Sequence, residues 1–293
     1  MPSLLLTDLD GTLLRSDQTI GTRTLEALEL LAERDVVRAV ATGRSLYSAR
    51  RVLHRDVPID YLIFSSGAGL VDWGPASAEA LLFAHTMDDS DVDRATRYLL
   101  AEEMDVMIHR PAPETHCFGW IAAVGDGCGK EGGEDLRVRV EAHADHAWPL
   151  AGGPSDRSTG RTGWTGWTGP ASMVLGVADA VNHADSVQRA REALPNLQVI
   201  RTTSPINHRS LWLEIVPSHV SKASAGRWLC EHLGIEQART FAIGNDYNDE
   251  ALLDWAGESA VVAGAPEELR ARFIEVADND CDALVDAIER FGL

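Results

Sequence analysis

Two aspartates, Asp8 and Asp10, follow the apolar run at residues 4–6 near the start of the chain. A short apolar run of this kind indicates a buried strand, so the two carboxylates are predicted to lie just beyond its end. Carboxylates held this close repel each other unless a cation keeps both ionised. Oxygen ligands without His or Cys suit a hard ion such as Mg²⁺. Taken alone, the pair is also compatible with a helix-capping turn in which Asp10 is the N-cap.

Further polar residues follow other predicted strands. Since parallel strands place their carboxyl ends at one edge of a sheet, these groups are expected to converge with the aspartates. A divalent cation, a lysine, hydroxyls and helix N-terminal N–H groups together make a phosphate site. The groups are Thr42-Gly43-Arg44 after a strand at 36–41, Ser65-Ser66-Gly67 after 61–64, residues 245–249 after 240–243, and Lys222 shortly after 211–216.

The order of predicted elements indicates an α/β protein with an insertion. Strands alternate with helices at both ends of the chain, which is typical of a parallel sheet with crossover helices. The helices there are predicted at 22–34, 44–53, 223–233 and 283–291. The middle has an irregular α+β character, with a helix at 89–103 between strands at 81–83 and 106–108, then a strand at 173–177, a helix at 184–194 and a strand at 198–201. We therefore predict a core of residues 1–84 and 206–293, and an inserted domain of residues 85–205.

Residues 125–170 are rich in Gly, Pro and Trp and give no clear period. A long loop or a lid is predicted there, and the segment 152–169 is a candidate substrate-facing element. Its tryptophans, with the nearby Trp148, could pack the segment down or face a ligand. Packing is favoured, because aromatic side chains are more often structural. The tryptophans concerned are Trp148, Trp164 and Trp167.

Composition excludes several classes of function. The 293 residues carry a net charge of −19, which argues against a nucleic-acid partner because such partners require basic surface. No apolar run approaches the roughly 18 residues needed to span a bilayer, and the N-terminus does not resemble a signal peptide. The four cysteines are widely spaced, which favours reduced thiols and a cytoplasmic location. Only two lysines occur, Lys130 and Lys222, and the other basic residues are arginines. A lysine at position 222 is therefore unusual for this chain and suggests a need for a compact ammonium there.

Four stretches resemble, in order, the four motifs of the haloacid dehalogenase (HAD) superfamily: DLDGTLL, ATGR, the lysine of VSKAS, and GNDYND. Their spacing is similar to that of the Cof-like branch of sugar-phosphate phosphatases, which carries a large α/β cap between motifs two and three. The resemblance covers residues 3–75 and 206–265. It implies a Rossmann-like parallel-sheet core with an inserted α+β cap. It also implies Mg²⁺-dependent hydrolysis of a small phosphate monoester, such as a sugar or polyol phosphate.

The resemblance also implies a role for each matching residue. Asp8 would be the nucleophile that forms an aspartyl-phosphate, and Asp10 would be the general acid and base. Lys222 would neutralise charge on the nucleophile and the phosphoryl group. The implied substrate-binding residues are Thr42, Gly43, Arg44 and Ser66, and the implied metal ligands are Asp8, Asp10 through its backbone carbonyl, Asn245 and Asp249.

Two positions depart from the pattern of the branch. Asn245 stands where an aspartate is usual, so the choice of metal ligand among Asn245, Asp246 and Asp249 stays open. Ser66 stands where the branch usually has asparagine.

Two alternatives to hydrolysis remain. The chain could be a phosphotransferase of the same superfamily, or a binding protein with a weakened site. His208 and Arg209 could reach the substrate or lie on the surface, and they are left out of the predicted site.

Two other metal sites fit poorly. An EF-hand that begins at Asp8 would need Gly and Glu where Leu13 and Thr19 stand. The aspartate pair of a glycosyltransferase would leave Lys222 and GNDYND unexplained.

Overall fold

The computed structural model describes residues 3–74, 77–123, 131–150, 166–180, 183, 185–207 and 209–293. The first stretch of regular structure contains β1 Leu4–Thr7, α1 Thr22–Glu33, β2 Val37–Ala41, α2 Leu46–Ala49, β3 Tyr61–Phe64, β4 Gly69–Asp72 and β5 Leu81–Ala84. The middle contains α3 Asp89–Ala101, β6 Asp105–His109, β7 Phe118–Ile121, α4 Glu131–Ala142, β8 Ala147–Pro149, β9 Met173–Asp179, α5 Ser186–Ala193, β10 Leu197–Thr203 and β11 Ser210–Pro217. The last part contains α6 Lys222–Leu233, β12 Thr240–Gly244, α7 Glu250–Trp255, β13 Glu258–Val262, α8 Glu267–Arg270, β14 Ile274–Val276 and α9 Ala283–Phe291.

The chain folds into two units. The first unit comprises Met1–Ala84 and Val220–Leu293, and the second comprises His85–His219. The second division therefore falls between His219 and Val220, whereas the sequence predicted it between residues 205 and 206. The reason is β11, which was read as a core strand but pairs antiparallel with β10 and β9 of the second unit.

The sheet of the first unit brings the ends of its central strands together. Its order is β14-β13-β12-β1-β2-β3-β4-β5, and all pairs from β14 to β3 are parallel. The strands β1, β2 and β12 are almost entirely buried, because helices cover a parallel sheet on its faces. The predicted parallel sheet is thus confirmed, and the segments that follow β12, β1, β2 and β3 share one edge.

The second unit is an α+β fold with its own core. Its sheet has the order β10-β11-β9-β6-β7-β8 and is antiparallel except for β7 and β8. All eight residues of β11 are buried, which explains why its apolar pattern looked like that of a parallel core strand. The core packs Leu99, Val106, Val174 and Leu213 together.

Two sequence predictions of local structure were wrong. The helix predicted at 44–53 is only one turn, α2, because Ser45 caps it at the N-terminus and the chain leaves helical geometry soon after Ala49. Residues 131–142 form α4, although no regular element was predicted there. The sequence did not indicate this helix because two glycines lie in its first turn and its apolar residues show only a weak helical period.

The tryptophans in the described part of the predicted lid are packed. Trp167 lies against the core of the second unit, and its ring stacks on that of Trp148 with centroids 5.9 Å apart. Trp164 and residues 152–165 of the candidate substrate-facing segment lie outside the described residues, as does His208, and Arg209 is exposed. No helix in the described ranges is both long enough and apolar enough to cross a membrane.

Candidate active site

Asp8 begins the loop at the carboxyl end of β1, in the middle of the first unit's sheet. Its N–H donates to the carbonyl oxygen of Ile243 on the neighbouring strand β12, at 2.9 Å, so the parallel ladder extends one residue beyond β1. The residue is only 4 % exposed. A carboxylate buried to this degree needs a cationic partner to stay ionised.

Lys222 is that partner, and α6 holds it in place. The helix begins at Lys222 because Ser221 caps it, with Ser224 completing a reciprocal capping box. The Lys222 side chain is 1 % exposed, and its Nζ donates to Asp8 Oδ1 at 2.6 Å and to Asp249 Oδ1 at 2.6 Å. It also reaches Asn248 Oδ1 at 3.3 Å. A single ammonium thus joins two buried carboxylates from opposite ends of the chain.

The second carboxylate, Asp249, has both oxygens engaged. Oδ1 accepts from Lys222, while Oδ2 accepts the backbone N–H groups of Asn245 at 2.9 Å and Asp246 at 3.2 Å. The residue is fully buried. Asp249 therefore holds the lysine and the loop after β12 in one arrangement, and its role as a metal ligand stays a prediction.

Asn245 lies against the loop that carries the two aspartates. A Cβ placed on Gly11 would come within 2.3 Å of Asn245 Nδ2, and Gly11 also has a φ of +69°. Glycine is required here for the close approach and for the left-handed backbone. The contact brings the amide of Asn245 next to the Asp8–Asp10 turn, where a shared cation would have to bind.

Asp10 is paired with Arg44 rather than with the lysine. The Arg44 guanidinium donates from Nε to Asp10 Oδ2 at 2.8 Å and from Nη2 to Oδ1 at 2.5 Å, a bidentate ion pair. The same Nη2 contacts Gln18 Oε1. Both side chains are partly exposed, so solvent and ligands can reach the pair. Arg44, predicted to bind substrate, is thus bound to the predicted acid–base residue.

The loops after β2 and β3 are joined by backbone hydrogen bonds. Thr42 is buried, its carbonyl accepts the N–H of Ser66 at 3.0 Å, and its Oγ1 accepts the N–H of Arg44 at 3.0 Å. Gly43 is exposed between them. The next loop turns sharply, with Ser66 at a φ of +54° and Gly67 at +101°.

Two buried hydroxyls near these loops have no hydrogen-bond partner in the described part of the chain. They are Oγ of Ser66 and Oγ1 of Thr12. A buried hydroxyl without a partner costs free energy, so each is suited to donate to a bound oxyanion. Sequence reasoning did not select Thr12 or Asn248, although both stand inside the motifs DLDGTLL and GNDYND.

The buried charges perturb each other's protonation. Burial, and then the nearby Asp249 carboxylate, raise the pKa of Asp8 to about 7, while Lys222 opposes the rise. Burial lowers the pKa of Lys222, but Asp249 and Asp8 outweigh burial and raise it above its ordinary value. The lysine is therefore charged at neutral pH, and an additional cation beside Asp8 would favour the carboxylate form.

The donor set fits a hard divalent cation. Two buried carboxylates, Asp8 and Asp249, face one ammonium, which leaves an excess negative charge, and carboxylate oxygens are ligands that such an ion prefers. The Asn245 side chain, which lies against the same loop at Gly11, carries an oxygen of a further type that such an ion binds.

Comparison with known proteins agrees with this arrangement. The family model of the haloacid dehalogenase-like hydrolases matches residues 5–127 and 154–288. The HMP-PP phosphatase of Cronobacter sakazakii is 26 % identical over 268 residues, which cover 90 % of this chain and 85 % of that protein.

Solved structures show the same fold. BT1666 from Bacteroides thetaiotaomicron, a phosphatase of the haloalkanoate (HAD) superfamily, is 17 % identical with a TM-score of 0.74, over 100 % of this chain and 96 % of that one. A haloacid dehalogenase-like hydrolase from B. subtilis is 18 % identical with a TM-score of 0.72, over 99 % of this chain and 100 % of that one. The family and fold predicted from the four motifs are confirmed, and the chain belongs to the haloacid dehalogenase-like hydrolases.

Proposed function

We propose that this chain is a Mg²⁺-dependent phosphomonoester hydrolase that works through an aspartyl-phosphate on Asp8. The observation that carries the proposal is the 2.6 Å contact between Lys222 Nζ and Asp8 Oδ1, buried at the carboxyl end of β1. An ammonium in this position orients the carboxylate and offsets the charge of an incoming phosphoryl group. The chain has a net charge of −19 and repels phosphate esters at long range, so a local positive charge such as Lys222 is needed to bind them.

The first chemical step transfers the phosphoryl group to the protein. A carboxylate oxygen of Asp8 attacks phosphorus while the bond from phosphorus to the leaving alcohol breaks. Asp10, in its protonated form, gives its proton to the leaving oxygen. Lys222 stays bound to Asp8 and Asp249, and the transferred group takes the donor that contacts Asn248 at 3.3 Å.

The second step returns the protein to its starting state. Asp10, now a carboxylate, takes a proton from water, and the resulting hydroxide attacks phosphorus as the bond to Asp8 breaks. Inorganic phosphate leaves, and Asp10 gives the proton taken from water to solvent when it returns to the ion pair with Arg44, in which both its oxygens accept. A bound substrate phosphate competes for the guanidinium, and the released Asp10 takes up a proton for the next turnover.

The residues that would hold Mg²⁺ are Asp8, Asp10 through its backbone carbonyl, and Asn245. When bound, the ion would keep Asp8 ionised and neutralise charge on the phosphoryl oxygens. Asp249, also predicted as a ligand, is proposed instead to position Lys222, because both its oxygens already accept hydrogen bonds. Thr42, Gly43 and Ser66 are proposed to contact the phosphoryl group.

The proposed substrate is a small phosphorylated metabolite, such as a sugar or polyol phosphate. Support comes from the similar HMP-PP phosphatase and from the HAD subclass IIB sugar phosphatase BT4131, which has the same fold with a TM-score of 0.71 at 16 % identity. The role of the second unit in selecting the substrate and the cytoplasmic location stay predictions.

Phosphate release from p-nitrophenyl phosphate, with and without Mg²⁺, tests the proposed reaction. Asp8→Asn keeps the shape of the side chain and should lower the turnover number by at least about 10³-fold. Asp56→Asn, an exposed aspartate in the same unit, should match the unaltered protein. If the unaltered protein releases no more phosphate than Asp8→Asn does on a panel of sugar phosphates, the binding-protein alternative is favoured.

The metal ligand is tested by Asn245→Asp. The substitution adds one negative charge beside Asp8, so the Mg²⁺ concentration for half-maximal activity should fall by about 10-fold. Asp246→Asn should leave that concentration unchanged. A loss of Mg²⁺ affinity in Asp246→Asn, with no gain in Asn245→Asp, would assign the ligand to Asp246 instead.

A further inference from the structure

A second group of metal-ligand types lies in the second unit, and none of its residues belongs to the proposed phosphatase mechanism. The cluster consists of His116, Cys117 and His146. One ring nitrogen of each histidine and the cysteine sulfur all lie within 4.8 Å of one another. All three residues are partly buried. The cluster is therefore enclosed by protein but still open to solvent.

Strand pairing fixes the positions of the cluster. β7 and β8 are parallel neighbours with Phe118 opposite Ala147, so Cys117 and His146 each stand directly before the first paired residue. The N–H of Phe118 donates to the carbonyl of His146 at 2.9 Å, and the N–H of Arg110 donates to the carbonyl of Cys117 at 2.9 Å. The register thus brings the sulfur and the imidazole together without depending on loop flexibility.

The distances suit a tetrahedral transition-metal site. Cys117 Sγ and His146 Nδ1 are 3.8 Å apart, and the His116 and His146 rings meet edge to face with centroids 4.7 Å apart. Zinc bonds of about 2.3 Å to sulfur and 2.0–2.1 Å to nitrogen, at tetrahedral angles, separate the two ligand atoms by about 3.6 Å. The Cys117–His146 pair is therefore within a few tenths of an ångström of its metal-bound separation, and ligand atoms as much as 4.8 Å apart would close by about an ångström on binding.

Cys117 is a free thiol rather than part of a disulfide, so its sulfur can bind a metal as a thiolate.

We propose that His116, Cys117 and His146 form a binding site for a borderline transition metal, with Zn²⁺ as the best match. One thiolate and two imidazoles are the ligand types that zinc takes, and they exclude Mg²⁺, which prefers oxygen. The three protein ligands leave the fourth tetrahedral position for water. Binding releases the thiol proton to solvent, and the metal then joins the segment before β7 to the segment before β8.

Cobalt substitution of the full chain tests the site. Protein freed of metal with EDTA is returned to excess Mg²⁺, which occupies oxygen sites, and then titrated with Co²⁺. A near-ultraviolet thiolate-to-cobalt charge-transfer band should grow to one equivalent and be displaced by Zn²⁺. Cys117→Ser should abolish the band, and Cys281→Ser, which changes an exposed cysteine of the first unit, should retain it.

A stability measurement keeps the test decisive if a variant folds poorly. Zn²⁺ should raise the unfolding temperature of the unaltered protein but not of Cys117→Ser, and both should melt alike in EDTA. His146→Asn keeps the thiol and should weaken Zn²⁺ binding by at least about 10-fold. Absence of the band in the unaltered protein, or its survival in Cys117→Ser, would overturn the proposal.

Discussion

Replacing Lys222 by methionine is the sharpest test of the buried charge cluster. The substitution keeps the length of the side chain and removes the one cation that contacts Asp8 and Asp249, each at 2.6 Å. At an effective dielectric constant near 20, unit charges about 3 Å apart attract by roughly 5–6 kcal/mol. Burial of the ammonium cancels much of that attraction, so we expect the free energy of unfolding to fall by about 3–5 kcal/mol at pH 7.

The pH dependence of that loss gives the reasoning a distinct signature. In Lys222→Met the pKa of Asp8, already raised to about 7 by burial and Asp249, loses the lysine that lowers it. A carboxyl whose folded pKa lies above its unfolded value stabilises the protein at low pH, and the contribution disappears as pH rises through the folded pKa. The destabilisation caused by Lys222→Met should therefore be smaller at pH 5 than at pH 7.

Urea unfolding followed by circular dichroism at the two pH values provides the measurement. Arg51→Met, which removes an exposed cation of the same unit, is the control and should alter the unfolding free energy by less than about 0.5 kcal/mol. The double variant with Asp249→Asn should be less destabilised than the sum of the two single variants, since the repulsion between Asp8 and Asp249 is removed. A loss below about 1 kcal/mol that does not change with pH would refute the assigned charge network.

Three other predictions address the turn after β3, a buried histidine and the arginine of the site. Gly67→Ala should destabilise the chain by about 2–4 kcal/mol, because φ is +101° and a Cβ would lie 2.2 Å from a backbone oxygen. Gly74→Ala should cost less than about 1 kcal/mol, because a Cβ there would make only an ordinary van der Waals contact, at 3.5 Å from Asp72 Oδ1. Burial, and then a nearby arginine, lower the pKa of His109 to about 3. As the pH falls, this histidine is protonated in the unfolded chain before it is protonated in the folded one, so the free energy of unfolding should fall by about 2 kcal/mol between pH 6.5 and 5. His109→Phe should remove that part of the pH dependence in urea unfolding, and an unchanged slope would contradict the assignment. Arg44→Gln should raise the inhibition constant of inorganic phosphate by about 10- to 100-fold, while the exposed Arg51→Gln should leave it unchanged. A fall in the turnover number with no change in the inhibition constant would mean that Arg44 positions Asp10 and does not bind phosphate.

The sequence predicted the centre of the site well because its geometry follows from the strands. Short apolar runs that end in polar residues mark β1, β2, β3 and β12, and parallel pairing then brings their ends to one edge. The sequence did not predict which side chains would pair with one another. Asp249 accepts hydrogen bonds from Lys222 and from two backbone amides because of the conformation of the loop after β12, and the spacing of residues does not reveal that conformation.

The errors have physical causes. Burial of both faces gives an antiparallel strand such as β11 the same continuous apolar pattern as a parallel core strand, so its sheet could not be assigned from the sequence. α4 was missed because its apolar residues are few and glycines occupy its first turn. The bidentate pair of Arg44 and Asp10 joins loops from different strands, and residue type alone could not show that both would be partners.

The contact between Gly11 and Asn245 makes the side chains that the two loops accept depend on each other. Any side chain at position 11 would collide with the residue at 245, so a substitution in the first loop requires a shorter or redirected side chain in the other. The residue at position 245 is thus limited in size as well as in charge. Relatives that carry aspartate at this position should retain glycine at position 11, and a pair of changes should be seen wherever either is lost.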